Sequence, residues 1–134
     1  MIVTGEFNVS LKPLDAYAEG GAGVTLGRMS IDKVFTGTLD ATSKGEMLSA
    51  RTMVDGSAGY VAIEQVHGSL DGKLGSFVLQ HYGTMSKGSD HLILEVIPDS
   101  ATGELHGLTG EMEIRVEDGK HIYDFDFTLP ADSD

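Results

Sequence analysis

Glu64 and His81, a carboxylate and an imidazole on either side of an Asp71-Gly72 turn, are the strongest candidate chemistry in this sequence. Counting outward from a two-residue turn puts both on one face of a hairpin. There they are diagonal neighbours within reach of long side chains, and Tyr60 shares the face. Phe77, Leu79 and Val66 fall among them. In such surroundings a carboxyl is either pushed up by desolvation or hydrogen-bonded to a charged imidazole. A pair of that kind can move a proton on a bound apolar substrate. The plainer alternative is a satisfied polar pair that pins two strands, and it carries more weight because structural pairs perturb pKa values as well. Tyr60, Glu64, Phe77, Leu79, His81 and Tyr123 are therefore the candidate ligand-contacting residues, and none is assigned a catalytic role.

The remaining constellations are weaker. Glu111, Glu113, Asp124 and Asp126 fall on the outer face of the last hairpin, where opposed like charges are unfavourable. A hard cation such as calcium would relieve them, but no glycine-rich calcium loop accompanies them, and a solvated acidic face is the expectation. No metal site is assigned. His67, His91, His106 and His121 lack ligand spacing. The stretch Gly21-Ala22-Gly23-Val24-Thr25-Leu26-Gly27 misses the dinucleotide fingerprint by one residue, and no cofactor is expected. No Gly-x-Ser-x-Gly elbow occurs. Met29, Met47, Met53, Met85 and Met112 read as core filler.

The elements that must position these residues announce themselves in two Asp-Gly turns flanked by alternating runs, the strongest short hairpin signal. Asp71-Gly72 pairs Val66 with Phe77, Glu64 with Leu79 and Ala62 with His81. Asp118-Gly119 pairs Val116 with His121, Ile114 with Tyr123 and Met112 with Phe125. A one-residue slip would set Met112 against Asp124 and mix the faces, so the register is well specified. Leu11 to Gly23 ends in Gly20-Gly21-Ala22-Gly23 and reads as a loop. Ser43 to Val54 carries both a capping-box pattern and strand alternation, and the residues leave it open between helix and strand.

Composition sets the outer bounds. The chain has 134 residues and reads as a single domain spanning 1–134. Its 18 glycines cluster at regular intervals between alternating segments, the signature of an all-β sandwich or barrel. About eight segments are strand-like, enough for a closed antiparallel barrel that is filled or holds one small ligand. With 9 basic and 21 acidic residues the net charge is −12, which argues against nucleic acid or an anionic membrane as partner. Cysteine is absent, excluding disulfides and thiol chemistry. The start has no basic and apolar leader pattern, so the cytoplasm is the expected compartment.

Several blocks carry a resemblance. Gly27-Arg28-Met29-Ser30-Ile31-Asp32-Lys33, Ser43-Lys44-Gly45-Glu46-Met47, Gly56-Ser57-Ala58-Gly59-Tyr60 and Gly75-Ser76-Phe77-Val78-Leu79-Gln80-His81 are among them. With Pro98-Asp99-Ser100 and Thr102-Gly103-Glu104-Leu105, they resemble a bacterial domain-of-unknown-function family. The resemblance runs from about Gly27 to Leu129. It implies an allene-oxide-cyclase-like barrel, related to the lipocalin-type barrels, and tips Ser43 to Val54 to strand. It implies no activity.

Three functions fit these residues: a barrel binding a small apolar ligand, an isomerase or cyclase using Glu64 or His81, and a ligand-free self-associating barrel. The first is the leading expectation. Self-association is expected beside it, because Ile63, Val78 and Tyr82 form an apolar outer face that another subunit or the Leu11–Gly23 loop must cover.

Overall fold

The architecture comes from a computed structural model that describes residues 1–130. The acidic end Asp132-Ser133-Asp134 lies outside the described residues. The strands are β1 (Ile2–Leu14), β2 (Thr25–Thr36), β3 (Leu39–Arg51), β4 (Ala58–Leu70), β5 (Lys73–Ser86), β6 (Ser89–Val96), β7 (Thr102–Gly103), β8 (Thr109–Glu117) and β9 (Lys120–Thr128). They run β4-β3-β2-β1-β9-β8-β6-β5, and β4 pairs with β5 to close the ring. All pairings are antiparallel. The result is an all-β closed barrel of eight strands, with β7 added along β5. Among the described residues no helix is long and apolar enough to cross a membrane.

Both Asp-Gly hairpins adopt the expected register, with Glu64 opposite Leu79, Ala62 opposite His81 and Met112 opposite Phe125. Their turns hold positive φ at both central residues: 52° and 79° at Asp71 and Gly72, 50° and 76° at Asp118 and Gly119. That backbone twist matches the flanking strands, and Asp or Asn followed by Gly is the pair that adopts it at least cost. Lys87-Gly88 makes a third such turn between β5 and β6.

One sequence expectation changes and one open reading is decided. Leu11 to Leu14 belong to β1 rather than to a loop, because Leu11 pairs with Ile31 and Leu14 with Arg28 across β2. The Ser43 to Val54 window is strand through Arg51, hydrogen-bonded to β2 on one edge and β4 on the other, while Thr52 and Val54 lie beyond the strand. Tertiary pairing on two edges overrides the local helical pattern. Gly45 is required by the same packing: a Cβ there would run into the Ile63 carbonyl oxygen and sit 2.6 Å from Glu64 Cα.

The interior is uneven along its axis. One end is solid. Phe77 stacks on Phe125 with centroids 5.8 Å apart, Phe125 meets Phe127 at 5.4 Å, and Phe35 lies edge-on to Tyr123 at 5.8 Å. Ala101, Leu105 and Leu108, from the connection around β7, close that end and are buried. Each large apolar side chain sealed there stabilises the fold by about 1.5–3 kcal/mol. The other end is looser. The β1–β9 ladder stops at the Phe7–His121 pair, and the β6–β8 ladder among the described residues is the single pair Glu95–Glu111. The wall is therefore low between the far halves of β1 and β6.

Candidate functional site

At mid-barrel four strands each contribute one polar side chain to a cluster sealed from solvent. Glu64 on β4 is 0% exposed, His81 on β5 is 4% and Lys33 on β2 is 5%. Ser43 on β3 is also buried. Lys33 Nζ donates to Glu64 Oε2 at 2.8 Å, and the Ser43 hydroxyl donates to Oε1 at 2.8 Å. His81 Nε2 makes a short hydrogen bond to Oε2. Lys33 Nζ also sits 5.1 Å from the Phe7 ring centroid and 5.7 Å from that of Phe35, a cation–π arrangement. A carboxylate can be buried this deeply only when its charge is paired and its lone pairs are occupied. Glu64 meets both conditions.

The ionisation follows from these contacts. Burial pushes the Glu64 carboxyl up, but the His81 hydrogen bond and the Lys33 charge together outweigh it and hold the group at about 2. Glu64 is therefore a carboxylate at neutral pH, and His81 Nε2 carries the proton it donates. His81 Nδ1 faces the Tyr60 hydroxyl at 3.4 Å. A polar chain thus runs from Glu64 through His81 to half-buried Tyr60. Burial first, and then the Glu64 charge, raise the Tyr60 phenol above its ordinary value, so it keeps its proton.

Tyr60 links this cluster to the open end. It lines a recess of about 380 Å³ at the barrel mouth together with Leu11, Met29, Met47, Met85 and Leu92. The lining is largely apolar, Ser49, Tyr60 and Thr84 supply hydroxyl groups, and the exposed Arg51, Asp90 and His91 also border it.

The residues expected from sequence divide accordingly. Tyr60, Glu64 and His81 come together, and of these Tyr60 lines the recess. Phe77, Leu79 and Tyr123 are 1%, 0% and 0% exposed and belong to the packed interior. The Tyr123 hydroxyl accepts from the Leu39 backbone N–H at 3.1 Å and donates to the Thr36 carbonyl at 2.9 Å, tying the β2–β3 turn to β9. Lys33 and Ser43 were missed, although both stand on apolar faces of alternating strands, Lys33 between Ile31 and Phe35 and Ser43 beyond Ala41. A polar residue in an apolar register is the signal that finds them. Of the methionines read as core filler, Met112 is buried, Met53 is 82% exposed, and Met29, Met47 and Met85 line the recess.

The acidic hairpin face takes the solvated form. Arg115 bonds both Asp124 and Glu117, and Thr4 donates to Asp124 at 2.7 Å. Among the described residues no group of three or more acidic or histidine side chains is placed to hold a metal. His121 packs on the Phe7 ring at 5.2 Å.

The fold and site define a closed eight-stranded antiparallel barrel with one packed end, one open mouth and a buried charged cluster between them. Residues 3–127 match the family of proteins of unknown function DUF3224, and the chain belongs to that family. It is similar to the crystal structure, at 1.84 Å resolution, of a DUF3224 protein of unknown function from Shewanella oneidensis MR-1. The two are 57% identical over 98% of each chain, with a TM-score of 0.96. A comparison with curated proteins finds no match.

Proposed function

We propose that the barrel binds a small, mainly apolar molecule in the mouth recess, oriented by a hydrogen bond to Tyr60. The observation that carries this reading is the contrast between the two ends. The same short β-barrel packs one half solid with phenylalanines and leaves about 380 Å³ free in the other. That volume lies within the range of small-molecule pockets, and an apolar lining with a few polar groups is their usual composition. Unbranched methionine side chains at three lining positions adapt to varied ligand shapes. Such a lipocalin-like use of the barrel, in a reducing cytoplasm, suits a chain without cysteine.

Acid–base catalysis is the weaker reading. Glu64 is saturated by three donors and held at about 2, so it is a poor proton acceptor at neutral pH. The cluster is better suited to fixing the Tyr60 side than to turnover.

Titration with the neutral fluorescent dye N-phenyl-1-naphthylamine tests the proposal. Wild type is expected to bind the dye, and Met47→Trp, which fills the recess, to abolish binding while the fold persists by circular dichroism. Tyr60→Phe is expected to keep dye binding and to weaken ligands bearing a hydroxyl or carbonyl. Dye binding unchanged in Met47→Trp overturns the proposal.

A further inference from the structure

The outer surface carries an apolar stripe that crosses four adjacent strands. Leu48 on β3 stands opposite Val61 on β4, Val61 opposite Tyr82 on β5, and Tyr82 opposite Ile93 on β6. Ile63 lies one step along β4 from Val61 on the same face. These five side chains are 56%, 49%, 49%, 43% and 55% exposed, in the order Leu48, Val61, Tyr82, Ile93 and Ile63. A cross-strand row of large apolar side chains facing water is unlike the scattered single residues of an ordinary surface. The loop between β1 and β2, one expected cover, leaves this face exposed. A groove of about 710 Å³ runs over it, walled by Leu48 and Glu46 on one side and by Tyr82 and Gln80 on the other.

We propose that this face is the self-association surface and that its occupant is a second copy of this chain, related by a two-fold axis running parallel to the strands along β4. Charge and polarity complementarity select this occupant and this axis. The chain carries −12, so two copies repel over most of their surface. Here the local charges cancel, because Arg28 donates to Glu46 Oε1 at 2.6 Å. Glu46 stands opposite Ile63, and Ile63 opposite Gln80. A two-fold along β4 sets Val61 and Ile63 against their own symmetry mates. It also sets Leu48 against the partner subunit's Tyr82, and the Glu46 carboxylate against the amide donor of the partner subunit's Gln80. A two-fold lying across the strands would instead press Glu46 onto the partner subunit's Leu48, burying a carboxylate against an apolar side chain. The surface is self-complementary in the first arrangement only, as an isologous contact must be.

Sedimentation velocity on the full chain over a wide concentration range reads the outcome. Wild type is expected to sediment at twice the chain mass. Ile63→Lys and Ile63→Glu each place two like charges at the axis and are expected to weaken association about a hundredfold or more. Circular dichroism controls for folding, and Val116→Lys, on a strand away from this face, is expected to leave the dimer intact. Mixing Ile63→Lys with Ile63→Glu is expected to restore a dimer, because opposite charges then meet across the axis. A monomeric wild type, a dimer indifferent to either Ile63 variant, or two monomeric variants that do not recombine would each overturn the proposal.

Discussion

Lys33 Nζ lies 2.8 Å from Glu64 Oε2 in a cluster where both side chains are at most 5% exposed. One charge enters from β2 and the other from β4, with β3 between them. The pair therefore exists only when three strands are in register. Removing one partner strands a charge in the barrel interior, whereas removing both leaves only the neutral Ser43 and His81 donors unpaired.

Glu64→Gln is expected to destabilise the barrel by about 3–5 kcal/mol, the cost of an uncompensated buried ammonium. The double variant Lys33→Met, Glu64→Leu is expected to regain part of that loss, the remainder being the cost of the buried Ser43 and His81 donors left without an acceptor. Urea unfolding of the single and double variants measures the difference, and equal losses in both would contradict this account.

Acid should expose the same pair. Glu64 titrates at about 2 when folded, against 4.5 as an ordinary carboxyl. Below pH 4.5 the unfolded chain takes up the proton first, so the stabilisation is complete above about pH 5.5 and is lost as pH falls toward 2. The loss is on the order of 3 kcal/mol. Thermal unfolding across this window should show a steep acid limb in wild type and a shallower one in Lys33→Met, Glu64→Leu.

Tyr123→Phe keeps the ring packed against Phe35 but removes the hydroxyl that accepts from the buried Leu39 N–H. The expected cost is about 1–3 kcal/mol, with dye binding at the mouth unchanged. Paired denaturation and dye-titration curves check both halves. Loss of dye binding in a folded variant would place Tyr123 functionally in the recess instead.

Gly45→Ala and Gly72→Ala separate two uses of glycine. A Cβ at Gly45 meets the Ile63 backbone and Glu64, which cannot withdraw without breaking the ladder. A loss of about 3 kcal/mol is expected. At Gly72 the added carbon meets nothing within 4 Å, so only the left-handed backbone at φ 79° resists it, costing about 1 kcal/mol. Parallel melting curves rank them.

The barrel and the Glu64–His81 adjacency were legible because both depend on local rules. An Asp-Gly turn fixes register, register fixes faces, and a period of two carries that assignment the length of each strand. The residues of the Ser43 to Val54 window left it open and only the resemblance tipped it to strand, since its helical pattern is local while the pairing that decides it comes from β2 and β4. Lys33 and Ser43 show in the sequence only as polar residues in an apolar register. Nothing within β2 or β3 says that β4 will bring a carboxylate between them.

Alternation and turn chemistry, read along the chain, determined the strands, the two hairpin registers and the face on which Tyr60, Glu64 and His81 meet. Tertiary structure decided the rest. Strand pairing from β2 through β3 to β4 brings Lys33 to Glu64. Ring closure determined which half of the interior the phenylalanines fill, leaving Met29, Met47 and Met85 around an open mouth. The physical reason is one of range. Backbone geometry and side-chain periodicity act between near neighbours, whereas charge pairing and cavity volume depend on residues that only the tertiary structure brings together.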